Sequence, residues 1–489
     1  MSIMETEKEL SETIKPRSWI GWLKCLGWGL VIVAMLVAIR VFWNQGKSAS
    51  KLQETLAELD RTDPGWRLED IEAARDEMPE EKNSARVVIA AAQQMPQRAP
   101  WADFSDEHFR LPPNEMLSGE DFVLLSRELA RARPALDVAA KLADMPHGRH
   151  RIYYAPNPLA TLLPHLQESR DLVTLFVYES MRCNQKGESK KALTACRAAL
   201  NAGRSIGDEP FFISQLVRIA CVALVCQAIE RTLAQGEPPP EDLSALQKLL
   251  ENEDVFPGLI VATRGERASM HKVFAGVENG EVSLKDLEGR ASKASGDEVE
   301  DWLKNTALSF WRMDTRADNF LFLSLMTRRL KEAQLALHEQ AALEKQFEQD
   351  IRSLPQNAYI TRLLLPAASK MGEAFRRKHA FLRCTIVALA AERRRRDKKA
   401  WPDNIDQLCP QYLVAAPLDP FDGKPLRYRH LKDGVVIYSV GQDGVDNGGY
   451  LDRERYGTSS GTDIGVRLWD AAQRRQPPQT KPGNREKPQ

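Results

Sequence analysis

The sequence predicts a mainly α-helical chain with a membrane-spanning helix near its N-terminus and a small α+β module near its C-terminus. Three observations predict this. Trp19 to Trp43 carries only two charges, Lys24 and Arg40, around an apolar run from Cys25 to Ile39. From Lys51 to about Lys399, apolar residues recur at helical spacing between turns marked by Pro, Gly and Asn. After Leu426 the period changes to two, as Tyr428 and His430 alternate with Arg427 and Arg429. Asp433-Gly434 then supplies a tight turn into Val435 to Val440, which is a hairpin pattern.

The N-terminal segment is long enough to cross a bilayer, which takes roughly 20 apolar residues as a helix, with Lys24 and Arg40 reaching outward. Trp19, Trp22, Phe42 and Trp43 stand where interfacial aromatics belong. A cleaved signal peptide would want a small-x-small site after the apolar run. Arg40-Val41-Phe42-Trp43-Asn44 offers none, so the segment reads as a retained anchor rather than a signal or a core helix. Lys8, Lys15, Arg17 and Lys24 before it nearly balance Arg40, Lys47 and Lys51 after it, which leaves the positive-inside rule little to act on. The expected organisation is a tail at 1–18, the anchor at 19–43, a helical body at 44–370, an α+β module at 371–470 and a disordered Gln-, Pro- and Lys-rich tail at 471–489.

With 489 residues the chain exceeds one ordinary core, and its 68 Lys plus Arg match its 68 Asp plus Glu. That balance gives no field for nucleic acid. Cys25 falls in the anchor, and Cys183, Cys196, Cys221, Cys226, Cys384 and Cys409 form no C-x-x-C pair. Those six could pair or stay as buried thiols.

In the body, Asp60 to Gly65 reads as a turn, Asn83-Ser84 as a helix start, and Pro96 to Pro113 as a loop carrying Trp101, Phe104 and Phe109. Gln167 to Gln235 gives the strongest helices. Gly187-Glu188-Ser189 punctuates them, and Ala192, Cys196 and Ala199 form a small-residue stripe suited to close packing. Ile219 to Cys226 is apolar nearly all round and reads as the central buried helix. Pro238 to Pro240 marks a connection, Gly289 to Asp297 a surface loop, and Asp318 to Arg352 one long helix. No period of about 34 residues appears, so an irregular bundle or solenoid is expected rather than a named repeat.

Met371 to Lys399 reads as a helix ending in Arg393 to Arg396, Lys398 and Lys399. Those charges suit a helix C-terminus and could also meet anionic lipid. Beyond it come Trp401-Pro402-Asp403, Leu408 to Leu413, Asp419-Pro420-Phe421-Asp422-Gly423, Gly441-Gln442-Asp443-Gly444 and Asp463-Ile464-Gly465. This order of motifs resembles the C-terminal globular part of the major pseudopilin of type II secretion systems, over about one eighth of the chain. The resemblance implies a calcium-binding loop, with Asp443 and Asp463 in the ligand places, and a body outside the cytoplasm of a bacterial inner membrane. Asp446 and Asn447 are further candidates from their chemistry, because calcium takes several hard oxygens among bent backbone. Asp-Gly and Asn-Gly also make plain turns. The insert between Asp443 and Asp463 is longer than in that family, and no Gly-Phe processing site precedes the apolar span.

No H-E-x-x-H, Gly-x-Ser-x-Gly, Walker loop or Gly-x-Gly-x-x-Gly occurs, and His147-Gly148-Arg149-His150 reads as a polar loop before it reads as a metal site. The expectation is therefore a non-enzymatic, membrane-anchored envelope scaffold or binding protein with a calcium-stabilised cap and an envelope protein partner. The alternatives are a hydrolase-type enzyme with its site in the helical body, and an adaptor of a type II secretion-like assembly.

Overall fold

The computed structural model describes residues 19–75, 77–97, 111–283, 314–452 and 459–478. The expected tail at 1–18, the loop at Gly289 to Asp297 and most of the loop at Pro96 to Pro113 lie outside those residues.

Helix α1, Trp19–Thr62, is one unbroken rod of 44 residues, about 66 Å long at 1.5 Å per residue. Its two halves meet different surroundings. Trp28, Ile32, Met35, Leu36 and Trp43 are exposed, whereas Leu52 and Leu59 are buried with Trp66 and Leu323. The turn after α1 is locked by the Trp66 indole N–H, which donates to Asp60 at 2.9 Å.

Short helices α2 (Leu68–Ala73) and α3 (Ser84–Ala92) follow, and α3 starts where Asn83 accepts the Ala85 N–H, as the Asn-Ser signal predicts. Next come α4 (Gly119–Arg131) and α5 (Arg133–Ala139), and then the core helices α6 (Pro164–Gln185), α7 (Ser189–Arg204) and α8 (Phe212–Gln235). Gly187, at φ +76°, makes the α6–α7 turn in the left-handed conformation that glycine tolerates. The small-residue stripe does its expected work. A Cβ at Gly203 would stand 2.7 Å from Cys221 Cβ, so α7 and α8 cross at close range. Helix α8 is long and apolar enough to cross a membrane, yet it lies inside the fold, against α6 and α7. It also buries Arg218, Glu230 and Arg231.

Helices α9 (Pro240–Asp254) and α10 (Gly258–Glu278) continue the body. The single helix expected over Asp318 to Arg352 is two, α11 (Thr315–Glu332) and α12 (Leu337–Arg352). Side chains stabilise the break: Glu339 accepts the Ala336 N–H, and Gln340 donates to the Ala333 and Leu335 carbonyls. Helix α13 runs from Tyr359 to Lys398, well ahead of the expected start at Met371. Its first turn is held by Asp318 of α11, whose carboxylate accepts the Ile360 and Thr361 N–H groups at 2.8 and 3.2 Å.

The C-terminal sheet is antiparallel in the order β1 (Arg427–Leu431), β2 (Gly434–Ser439), β3 (Ile464–Trp469). The hairpin of β1 and β2 is as expected, and β3 is an addition that pairs Ile437 with Val466. Gly434 permits a close approach, since a Cβ there would lie 2.0 Å from the Leu468 carbonyl oxygen. Strand β2 is buried throughout and packs with β3 on α13. One core therefore joins Leu172, Cys196 and Val225 of the bundle to Leu408, Val435, Ile437 and Val466 of the module. The expected boundary at 370/371 falls inside α13, a helix that serves both parts.

Disorder was expected from Ala471 on, but residues 471–478 pack against the body. Arg474 is buried and donates to Glu392 of α13 at 3.1 and 2.8 Å, and the Gln476 carbonyl accepts the Met116 N–H. The six cysteines from Cys183 to Cys409 are free thiols, five of them buried.

Candidate functional site

The cap loop from Gly441 to Asp463 is built on hydrogen-bonded aspartates. Asp443 accepts the Val445 N–H at 3.0 Å and the Gly461 N–H at 2.9 Å, so it ties the two ends of the loop. Asp446 accepts the Tyr438 hydroxyl at 3.0 Å and the Gly448 N–H at 2.9 Å. Asp463 is buried and accepts the Asn447 N–H at 3.3 Å and the Gly449 N–H at 2.7 Å. Asn447 also donates its side-chain amide to the Val445 carbonyl. Burial raises the Asp463 carboxyl above the usual range, and the Asp446 charge adds to it against the two backbone donors. The structure thus brings Asp446, Asn447 and Asp463 to one turn and uses Asp443 to close the loop. Among the described residues no three His, Cys, Asp or Glu are grouped for a metal, so a cation here would draw on Asn447 and on carbonyl oxygens as well.

The residue that holds the module together is Asp419 of the Asp-Pro-Phe-Asp-Gly turn. It is fully buried and accepts four hydrogen bonds: from Phe421 N at 2.9 Å, Ser439 Oγ at 2.8 Å, Val440 N at 2.9 Å and Arg427 Nη1 at 2.8 Å. Its carbonyl also accepts the Gly423 N–H, at 3.0 Å. The motif carried Asp419 on the page, but its four partners come from three separate segments.

A second polar centre lies in the helical body, where the loop after Met145 crosses the α7–α8 turn. Asn83 fixes that loop by accepting the Arg149 N–H at 2.9 Å and donating to the Arg149 carbonyl at 2.9 Å. Gly148 and Gly207 meet backbone to backbone, since a Cβ on Gly207 would lie 2.6 Å from the Gly148 oxygen. That contact sets His150 inside the fold, stacked on His165 with 4.2 Å between ring centroids. His150 Nε2 lies 3.3 Å from Ser205 Oγ, and His165 Nε2 lies 2.6 Å from Glu209, which also accepts the Ser214 hydroxyl. Burial pushes the His150 imidazole down to about 3, with His165 and Arg75 adding to the effect, so it is neutral at physiological pH. Alongside, Arg75 pairs with Glu72 and Asp208, and the Tyr154 hydroxyl donates to Glu72 at 2.9 Å.

His147 stands at the outer edge of this centre and lines an open cleft of about 680 Å³ with Met78, Lys82 and Met145. The sequence tetrad at 147–150 is therefore split. His150 is sealed in and His147 faces out. The convergence of His150 with His165 and Glu209 had no signal in the sequence, because it depends on the crossing of segments far apart in the chain.

The basic end of α13 is engaged within the molecule. Arg393 donates to Gln247 and lies over the Tyr412 ring, and Arg394 donates to Ala400 and Gln407. Arg395 pairs with Glu392 and Glu237, and Arg396 donates to the Pro238 carbonyl. These contacts tie the helix end to the α8–α9 connection.

Comparison of the chain with family models, with curated proteins and with solved structures gave no match. The functional reading rests on the geometry.

Proposed function

We propose that this chain is a membrane-tethered, non-enzymatic envelope protein that presents a helical body and its β-sheet cap as a scaffold or binding module. The observation that carries the reading is the two-sided character of α1. Its first half exposes Trp28, Ile32, Met35, Leu36 and Trp43, and its second half buries Leu52 and Leu59 against Trp66 and Leu323 of the body. Trp19 to Trp43 would extend about 37 Å, enough for a hydrocarbon core of about 30 Å with room for tilt. A body joined to its anchor by one helix is held at a set distance from the bilayer. The pseudopilin-like order of motifs favours a periplasmic body at the inner membrane. Protease added to intact spheroplasts tests this: the body is expected to be cleaved without lysis, and protection until lysis would overturn the orientation.

The non-enzymatic part is supported by how the reactive groups are engaged. The Ser205 hydroxyl donates to the Ala202 carbonyl at 2.6 Å, and the acid partner Glu209 is bonded to His165, whereas Nδ1 of His150, the histidine beside Ser205, has no hydrogen-bond partner among the described residues. A serine-base-acid relay needs those contacts in one chain. The gathering of His150, His165 and Glu209 favours the enzyme alternative, and the engaged Ser205 proton weighs against it.

Calcium at the 441–463 loop belongs to the same proposal. The Asp446 charge beside the buried Asp463 is the repulsion that a cation relieves, and Asn447 supplies a further oxygen. A calcium-loaded loop would raise the melting temperature of the full chain in millimolar calcium over chelator, and Asp463→Asn would remove the difference. Identical melting in both buffers would end the calcium reading and leave the tether untouched.

A further inference from the structure

Beneath His147 lies a buried cluster in which positive charge outnumbers negative. Glu253, at the end of α9, has a side chain only 1% exposed. It receives Arg218 through two hydrogen bonds, at 3.2 and 2.6 Å, and Lys378 at 3.2 Å. A third cation, Arg204, is also turned toward it but stops 3.7 Å short, outside hydrogen-bond range. The Arg204 side chain is 7% exposed, and its Nε and Nη1 have no hydrogen-bond partner among the described residues. The next carboxylate, Asp254, does not relieve the excess, because it is bonded to His379 at 2.7 Å and to Arg383 at 3.1 and 3.0 Å.

Three cations around one carboxylate, with guanidinium N–H groups left without acceptors, make a costly arrangement for a fold to retain. An oxyanion would correct both faults, since a guanidinium fork matches a carboxylate or phosphate edge. The approach is on the same side. Gly148, next to His147, packs on the backbone of Ser205, next to Arg204, and Arg218 donates to the carbonyl of Gly207, which meets Gly148; His147 in turn lines the open cleft of about 680 Å³. Lys82 shares that cleft, and so do Glu77, Glu81 and Asp144, which would turn away a polyanion and leave room for a small ligand.

We propose that Arg204, backed by Arg218 and Lys378 and reached past His147 from the cleft, binds a small ligand through a carboxylate or phosphate oxyanion. This rests on the binding-module reading and gives it a ligand class. Membrane attachment is tested separately, so either can fail alone.

The test is thermal unfolding of the full chain in detergent, titrated with inorganic phosphate and with acetate against chloride at constant ionic strength. A saturable rise in melting temperature with either oxyanion supports the site. A response to phosphate alone assigns a phosphoryl group, and a response to acetate alone assigns a carboxylate. Arg204→Met is expected to abolish the response without lowering the melting temperature in chloride. His147→Ala, at an exposed position, is expected to raise the half-saturating concentration about tenfold, the equivalent of one charge-assisted hydrogen bond. The proposal is overturned if neither oxyanion exceeds chloride, or if Arg204→Met keeps the response. Should Arg204→Met fail to fold, an unchanged half-saturation in His147→Ala overturns it.

Discussion

Replacing Asp419 with alanine tests how the cap is joined to the body. The carboxylate accepts from Phe421 N, Ser439 Oγ, Val440 N and Arg427 Nη1, all within 2.9 Å, and the residue is fully buried. Arg427 keeps a second partner in Asp422, so its charge is not stranded. The Val440 N–H has no other acceptor in view and is buried, and one such orphan costs about 1–3 kcal/mol. Adding the loss of a buried ion pair brings Asp419→Ala to about 3–5 kcal/mol. Asp419→Asn keeps one acceptor oxygen and the side-chain shape, and should cost about half as much. Urea unfolding of the full chain, followed by tryptophan fluorescence, reads the effect through Trp401 and Trp469. Because the module shares its core with α6, α7 and α8, the transition of the whole body should move with the cap. Asp443→Ala is the control: its loop position is exposed, and the expected loss is about 1 kcal/mol. If Asp419→Ala unfolded within about 0.5 kcal/mol of the parent, the assignment of Asp419 as the junction would be wrong.

Three further outcomes are expected. Burial pushes the half-buried Glu266 carboxyl up to about 7, against an unfolded value near 4.3. The fold carries a cost when Glu266 is ionised, and it regains stability as pH falls from 8 toward 5, where the native state binds the proton first. Glu266→Gln should therefore stabilise the chain by about 1–2 kcal/mol at pH 8 and reduce the slope of stability between pH 5 and 8. An unchanged slope would contradict the burial. A chain ending at Asp470 loses the Arg474–Glu392 pair and the Gln476 contacts and should be less stable by about 2–4 kcal/mol, whereas one ending at Pro478 should match the parent. Equal melting of the two would show that residues 471–478 add nothing. Full-length chain in millimolar calcium should melt above the same chain in chelator, as the proposed loop site requires.

What the sequence made legible was local. Asn83 before Ser84, Gly187 between α6 and α7, Pro240 at the head of α9 and Asp433-Gly434 in the hairpin each act within a few residues, so the chain shows them directly. What it hid depends on distant partners. The start of α13 is set by Asp318, some forty residues earlier, and the break between α11 and α12 by Glu339 and Gln340, which look like ordinary helix residues. Strand β3 follows a long insert and carries Gly465 and Arg467, so its alternation is weak until β2 lies beside it. The tail reads as disordered because Arg474 has its partner on α13. The candidate sites divide in the same way. Asp443, Asp446, Asn447 and Asp463 were visible as oxygen donors among glycines. The Glu253 cluster was not, because its members sit on four elements and look like helix flanks in the chain.

Alkaline carbonate extraction of membranes from cells making the full chain tests the central claim most directly. A chain held by α1 should remain in the pellet and float with lipid on a density gradient, whereas a chain beginning at Asn44 should be released to the supernatant. Release of the full chain by carbonate would contradict a spanning helix at Trp19 to Trp43 and the tethered body built on it.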